Sequence, residues 1–148
     1  MIALASDHVG LELKRMIMAY FDEKNILYKD YGTDSKDRVD YPVYARRAAD
    51  AVVSGECSQG ILFCGTGVGM SIAANKVAGI RCVNCSEPYS ARLSRMHNDT
   101  NFLALGARVV GEDLAIMIVQ EWLNGVYEAG RHAGRVEQLS RIERNESF

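Results

Sequence analysis

Cys64 closes an apolar run, Gly60 to Cys64, and Gly65-Thr66-Gly67-Val68-Gly69 follows at once. Glycines at alternate positions between a strand and a helix let backbone N–H groups form a positive concavity for an anion. A thiol at a helix start is a candidate nucleophile or general base, because that setting favours the thiolate. A nucleotide loop would need G-x-x-x-x-G-K-[ST] or G-x-G-x-x-G. The spacing here is G-x-G-x-G, it follows the third strand rather than the first, and no lysine comes next. A phosphate-binding loop of either kind is therefore a poor match. On these residues alone a tight turn with a core thiol remains the structural alternative.

Other candidates are scattered along the chain. Asp7 and His8 follow the first strand and could serve as acid, base or hydrogen-bond partner for a polyol. Asp7 could equally cap a helix beginning at about residues 8–10. Ser86 and Glu87 follow strand four, and Gly106 to Arg108 follow strand five. His97 and Asn98 precede strand five, at a helix end, and so belong to the opposite edge of the sheet. A cation near a helix C-terminus is the structural reading of His97. Arg131 and Arg135 are one helical turn apart and share a face. Paired guanidiniums suit a phosphate dianion, although a solvated, salt-bridged face is the alternative. His132 and the other arginines of the tail read as surface. Cys82 and Cys85 have redox or zinc spacing. They lie in a buried strand that points them to opposite faces, and no second ligand pair is nearby, so core thiols are expected.

The elements that must position these groups alternate. Strands are expected at Ile2 to Ser6, Ile26 to Tyr31, Gly60 to Cys64, Ile80 to Cys85 and Asn101 to Leu105. Leu13, Met16, Ile17, Tyr20 and Phe21 recur at helical spacing between the first two. Ala45, Ala48, Ala49 and Val52 form a small-residue helix face behind Pro42, which suits a first turn. Further helices are expected after the glycine loop to Asn75, from Pro88 to about Met96, and over Glu112 to Leu123 with Leu114, Met117, Ile118 and Trp122 inward. A last helix is expected over 131–144. Alternating strands and helices predict an α/β fold: a three-layer α/β/α, Rossmann-like domain over 1–148, with a five-stranded parallel sheet and an extra C-terminal helix. Ligands bind such sheets at the carboxyl ends of the strands.

Composition sets the outer bounds. Of 148 residues, 48% are hydrophobic and 24% charged, as in ordinary globular domains. A formal net charge of −2 offers no field for nucleic acid. The apolar runs are too short for a membrane span, and the start lacks a signal-peptide pattern. A cytoplasmic protein is expected, with its four cysteines as thiols.

Six stretches occur in register with one family. "SDHVG", "DYP", "CGTGVGMSIAANK", "SRMHNDTN", "LGARVVG" and "GRHAGRV" together resemble the ribose-5-phosphate isomerase B family, which includes allose- and galactose-6-phosphate isomerases. The resemblance spans nearly the whole chain. It implies aldose–ketose isomerisation of a phosphorylated sugar, typically ribose 5-phosphate and ribulose 5-phosphate, with no metal and no cofactor. It implies a homodimer or tetramer with active sites shared between subunits, the last helix at an interface. That would account for the placement of His97.

By position, the resemblance makes Cys64 the base that moves the proton between C1 and C2. Thr66 and His97 would assist ring opening. Asp7 and His8 would contact the sugar, and Tyr41 would line the pocket. Gly65, Gly67, Val68, Gly69 and Ser71 would hold the developing enediolate. Asn98 would bind substrate, and Arg131 and Arg135, with His8 and Arg108, would hold the phosphate. Val9 departs from the small residue usual there and adds bulk beside the pocket. Some relatives carry a glutamate base in the loop; Met70 and Cys64 fit the cysteine branch. The alternatives are a six-carbon sugar phosphate, a phosphate- or nucleotide-binding module without catalysis, and a cysteine hydrolase, for which no oriented Cys–His pair is evident.

Overall fold

The computed structural model describes residues 1–147. Its strands are β1 (Ile2–Ser6), β2 (Tyr28–Asp30), β3 (Gln59–Cys64), β4 (Cys82–Asn84) and β5 (Phe102–Gly106). Its helices are α1 (Leu11–Lys24), α2 (Tyr41–Val53), α3 (Val68–Ala74), α4 (Pro88–Asn98), α5 (Glu112–Asn124) and α6 (Ala133–Glu143). All strand pairs are parallel, in the order β2-β1-β3-β5-β4. The expected five-stranded parallel α/β sheet is therefore present.

Alternation along each strand divides the core into two layers. Ile2, Leu4, Ile61, Phe63, Leu103 and Leu105 face one way, with the buried residues of α1, α4 and α5. Ala3, Ala5, Leu62, Cys64, Phe102 and Ala104 face the other, with Ala45, Ala48 and Ala49 of α2 and Met70 of α3. Alanine on both sides lets α2 lie close to the sheet. Cys82 and Cys85 belong to opposite layers, as the strand period requires.

Three sequence expectations need correction. β2 and β4 are shorter than expected, because each is an edge strand with a neighbour on one side only. Met117 is 52% exposed rather than inward. The buried stripe of α5 is Ala115, Ile118, Val119 and Trp122, so small Ala115 and Val119 take the inner face. The last helix is preceded by a 3-10 turn at Gly130–His132 and begins at Ala133. Among the described residues no helix is long and apolar enough to cross a membrane.

One ion pair, built on a buried ammonium, fixes the approach to the carboxyl edge. The Lys14 ammonium, on α1, donates to both oxygens of Asp30, 2.8 and 2.6 Å away, and to the Thr33 carbonyl at 2.7 Å. Asp30 Oδ1 also accepts from the Gly32 amide, and the Thr33 amide donates to the Ser6 carbonyl. The segment after β2 is thereby pinned across the end of β1. A buried charge stripped of its partner is costly, whereas removing both charges is mild. Asp30→Ala should lower stability by about 3 kcal/mol in urea unfolding, and Lys14→Met/Asp30→Ala should recover much of that loss. Equal stability of the single variant and the parent would show that the pair has no anchoring role.

Candidate active site

β1 and β3 are adjacent, but the helices that follow them pack on opposite faces, α1 on one and α3 on the other. The loops therefore diverge and open a crevice at the switch point. The register Ser6↔Phe63 and Cys64↔Gly106 brings the ends of β1, β3 and β5 to one edge. Asp7, the glycine loop and Ala107 follow directly.

The loop is bent around the cysteine. Cys64 is buried, and its Sγ accepts a hydrogen bond from the Gly67 amide at 3.1 Å. Gly67 has φ +80°, and a Cβ there would lie 2.3 Å from Asn84 Oδ1. A side chain is excluded both by the left-handed backbone and by space. Asn84 also donates to the Thr66 carbonyl at 3.3 Å, so the end of β4 braces the loop. On the other side a Cβ at Gly106 would lie 2.7 Å from the Thr66 backbone. Ala107 and Arg108 donate their amides to the carbonyls of Cys64 and Gly65, at 2.8 and 3.0 Å. The Val68 amide donates to Thr66 Oγ1 at 3.3 Å.

The remaining candidates at this edge fall into place around that loop. The Tyr41 ring, in the first turn of α2, lies 2.7 Å from where a Cβ on Gly69 would sit. Val9 and Arg108 approach Gly65 in the same way, at 3.5 and 3.7 Å. The bulk expected of Val9 is thus against the first glycine of the loop. Asp7 is buried and accepts the Val9 and Gly10 amides through Oδ1, both at 2.9 Å. It closes the turn ahead of α1, which starts at Leu11. His8 Nδ1 accepts the Val39 amide at 3.2 Å. That bond places the proton of the neutral ring on Nε2, the nitrogen left to donate to a ligand. The Ser71 hydroxyl donates to the Val68 carbonyl at 2.8 Å and so is engaged within its own helix.

His97, Asn98, Arg131 and Arg135 are elsewhere. α4 ends just ahead of β5, and the strand separates that edge from Gly106 by about 13 Å at roughly 3.3 Å per residue. His97, Asn98 and Arg135 line a second cleft of about 410 Å³ together with His132. Arg131 is exposed beside it in the 3-10 turn. Within one chain the two groups of candidates do not meet.

His132 is a correction: expected at the surface, it is 6% exposed. Its ring stacks on that of His97, with centroids 4.2 Å apart. The turn at Ala129 and Gly130, with φ of +51° and +48°, folds it inward. Burial is the main cause that pushes its pKa down, followed by the neighbouring His97 and Arg131, against an upward pull from Glu128. Asn84 and Glu128 were also not singled out by sequence reasoning. Asn84 ends a strand at the carboxyl edge, a position that the strand-end criterion could have flagged. Glu128 precedes His132 by four residues, a spacing that gives no signal outside a helix.

The profile of a family described as Ribose/Galactose Isomerase matches residues 2–139. A ribose-5-phosphate isomerase B of Escherichia coli K12 is 60% identical over 142 residues, which cover 96% of this chain and 95% of that protein. A D-erythrulose-4-phosphate isomerase of Pectobacterium atrosepticum is 40% identical, with 98% and 96% covered. A ribose-5-phosphate isomerase B structure from Clostridium thermocellum superposes with a TM-score of 0.96 at 51% identity, over 99% of both chains.

The bend at Gly67 generates a prediction. Gly67→Ala should cost about 1–2 kcal/mol in backbone strain alone, plus the overlap with Asn84. Adding Asn84→Ala should relieve the overlap but not the strain. Urea unfolding of the three variants checks this; a Gly67→Ala protein as stable as the parent would contradict it.

Proposed function

From the premise that the chain belongs to the ribose/galactose isomerase family, we propose that it interconverts ribose 5-phosphate and ribulose 5-phosphate with Cys64 as the base. The observation that carries this reading is a buried sulfur bound to a loop amide at the β1/β3 switch point. There a proton-accepting atom and backbone donors stand side by side.

The reaction needs the proton next to a carbonyl to leave, and that proton is weakly acidic. In the open-chain aldose, the Cys64 thiolate takes the proton from C2. The C–H electrons become the C1=C2 bond, and the carbonyl electrons move to O1. The Gly67 amide already donates to Cys64 Sγ and the Val68 amide to Thr66 Oγ1. In this reading the amides of Gly65, Thr66 and Gly69 are therefore the ones that face the negative oxygen, while those of Gly67 and Val68 hold the loop around the base. One such donor is typically worth about 3 kcal/mol in the transition state. The Cys64 thiol then returns its proton to C1, and the C1=C2 electrons form that C–H bond. The O2 proton passes to O1 as the O2–H electrons become the C2=O bond, giving the ketose and the thiolate again. Thr66 and His97 assist opening of the furanose. Asp7, His8, Tyr41 and Asn98 contact the sugar. Arg131 and Arg135, with His8 and Arg108, grip the phosphate away from the chemistry and hold the sugar in place.

This assignment joins residues from two edges, so the reading includes a cytoplasmic homodimer or tetramer in which each subunit completes its partner's site. α6 supports it: the helix buries none of its residues, and Leu139 and Ile142 lie exposed on it. Val68 and Ile72 of α3 are exposed apolar residues as well. An apolar face on the last helix suits an interface with a second copy. The chain as a whole is read as one isomerase domain ending in that helix.

Val9 and Arg108 lie beside Gly65, where their bulk would bear on sugar length. Measuring kcat/KM side by side on ribose 5-phosphate, allose 6-phosphate, galactose 6-phosphate and erythrulose 4-phosphate decides it; the five-carbon substrate should lead.

Cys64→Ala should abolish solvent-deuterium incorporation at C2 and turnover while phosphosugar binding survives. Near-normal turnover would sink the base assignment. Arg135→Ala should mainly raise KM, and an unchanged KM would remove it from the phosphate grip. Sharing of sites has its own test. Cys64→Ala and His97→Ala chains, each inactive, are co-refolded in equal amounts. Half the dimers are mixed, and each mixed dimer has one intact site of two, so about a quarter of parental activity should return. If the two residues act within one chain, none returns.

A further inference from the structure

Glu128, in the segment between α5 and the 3-10 turn, faces two imidazoles at once. Its Oε2 is 3.7 Å from His97 Nε2 and 3.7 Å from His132 Nε2. One nitrogen or oxygen from each of the three residues lies within 4.8 Å of the other two. Backbone bonds hold the group together. The Glu128 amide donates to the Met96 carbonyl at 3.0 Å, next to His97, and the His132 amide donates to the Ala129 carbonyl at 2.8 Å. His132 Nε2 is buried and has no hydrogen-bond partner. A buried nitrogen without a partner is costly, and here it points towards a carboxylate it does not reach. The reaction as proposed above gives His132 and Glu128 no role.

Two imidazoles and one carboxylate are the donor set of open zinc sites, which leave a fourth position for water. We propose that His97, Glu128 and His132 form a binding site for a divalent transition-metal ion, zinc in the first place, and that an ion there withdraws His97 from catalysis. The ion would be an inhibitor, not a cofactor. Its second consequence rests on the role given to His97 above; the binding itself does not.

The physical chemistry is mixed, and it sets the expected strength. Metal binding requires neutral imidazoles. Burial, with His97 on α4, Arg131 in the 3-10 turn and Arg135 on α6 acting in the same direction, pushes the His132 pKa down against the pull of Glu128. The same arginines repel a cation. The rings also stack with planes only 11° apart, so their in-plane lone pairs lie in separate, nearly parallel planes. To bring both nitrogens within about 2.1 Å of one ion, a ring must turn. His97 is the ring with more room, since its side chain is 32% exposed against 8% for His132. A site that reorganises binds more weakly than a structural zinc centre. The cleft of about 410 Å³ beside the two rings gives the remaining coordination position room for water.

The test uses the full-length protein in metal-free buffer. Zn²⁺ is titrated by calorimetry, and Co²⁺ by visible absorption. One ion per chain should bind, without the sulfur-to-cobalt charge-transfer band of a thiolate ligand. Exposed Glu128→Gln should weaken binding at least about tenfold and retain the fold; His132→Gln should do likewise. Cys64→Ala should leave binding unchanged. No saturable binding, binding indifferent to Glu128→Gln, or binding lost with Cys64→Ala would each overturn the site. In turnover assays zinc should inhibit the parent and inhibit Glu128→Gln at least about tenfold more weakly. If zinc binds at the trio but turnover is untouched, the metal site stands and the catalytic role of His97 falls.

Discussion

The glycine loop can bend back on Cys64 only because the backbone around it comes closer than any side chain would allow. Asn84 stands where a Cβ of Gly67 would be, and the Thr66 backbone where a Cβ of Gly106 would be. With those two positions bare, β4 and β5 press on the loop from both sides, and the Gly67 amide is delivered to the sulfur. The site is thus a product of sheet register. Cys64 pairs with Gly106 across the β3–β5 ladder, so the last residue of one strand is the clearance for the loop that leaves the other.

That register also explains what could be read from the chain alone. β1 was legible to the residue, because a fully buried strand reads as a short apolar run, here Ile2 to Ala5, stopped by the polar Ser6-Asp7-His8. The candidate loop was legible because glycine spacing and strand position are local properties. The edge strands were not, since the apolar pattern of β2 and β4 continues past the residues held in ladder register, Tyr28–Asp30 and Cys82–Asn84. Met117 was misplaced because Leu114, Met117 and Ile118 share a helical spacing as good as that of the true inner stripe. His132 was missed because its burial depends on a left-handed turn at Ala129, an alanine whose conformation no local pattern announces. Asn84 was missed because its role is to occupy the space of a side chain that does not exist.

The two edges of the sheet divide the work. At the carboxyl edge the protein presents amides, a thiol and a tyrosine ring, groups suited to handling a proton and the charge it leaves behind. At the other edge it presents imidazoles, an amide side chain and guanidiniums, groups suited to an anion and to proton shuttling. On the proposed reading, neither set is a working site by itself. The apolar residues of α6 and α3 offer the means to bring one chain's second set to another chain's first, and burial of those residues would then be linked to function. Dilution would therefore act on activity as well as on stability.

The alanines of α2 carry a further implication. Ala45, Ala48 and Ala49 share a buried layer with Ala3 and Ala5 of β1, so small residues on both sides bring helix and strand close together. Such an interface has little slack, since interiors packed at crystal-like density shift only at a cost. Tyr41, at the start of this helix, is therefore held on a rigid mount. A wall of this kind does not flex to admit a longer or shorter sugar. Across relatives that handle different sugar phosphates, adaptation would have to proceed by exchanging the side chains that face the cleft, Tyr41 and Val9 among them, on a frame that stays still. For an engineer the frame is a fixed die, and the pocket is recut by swapping its inserts.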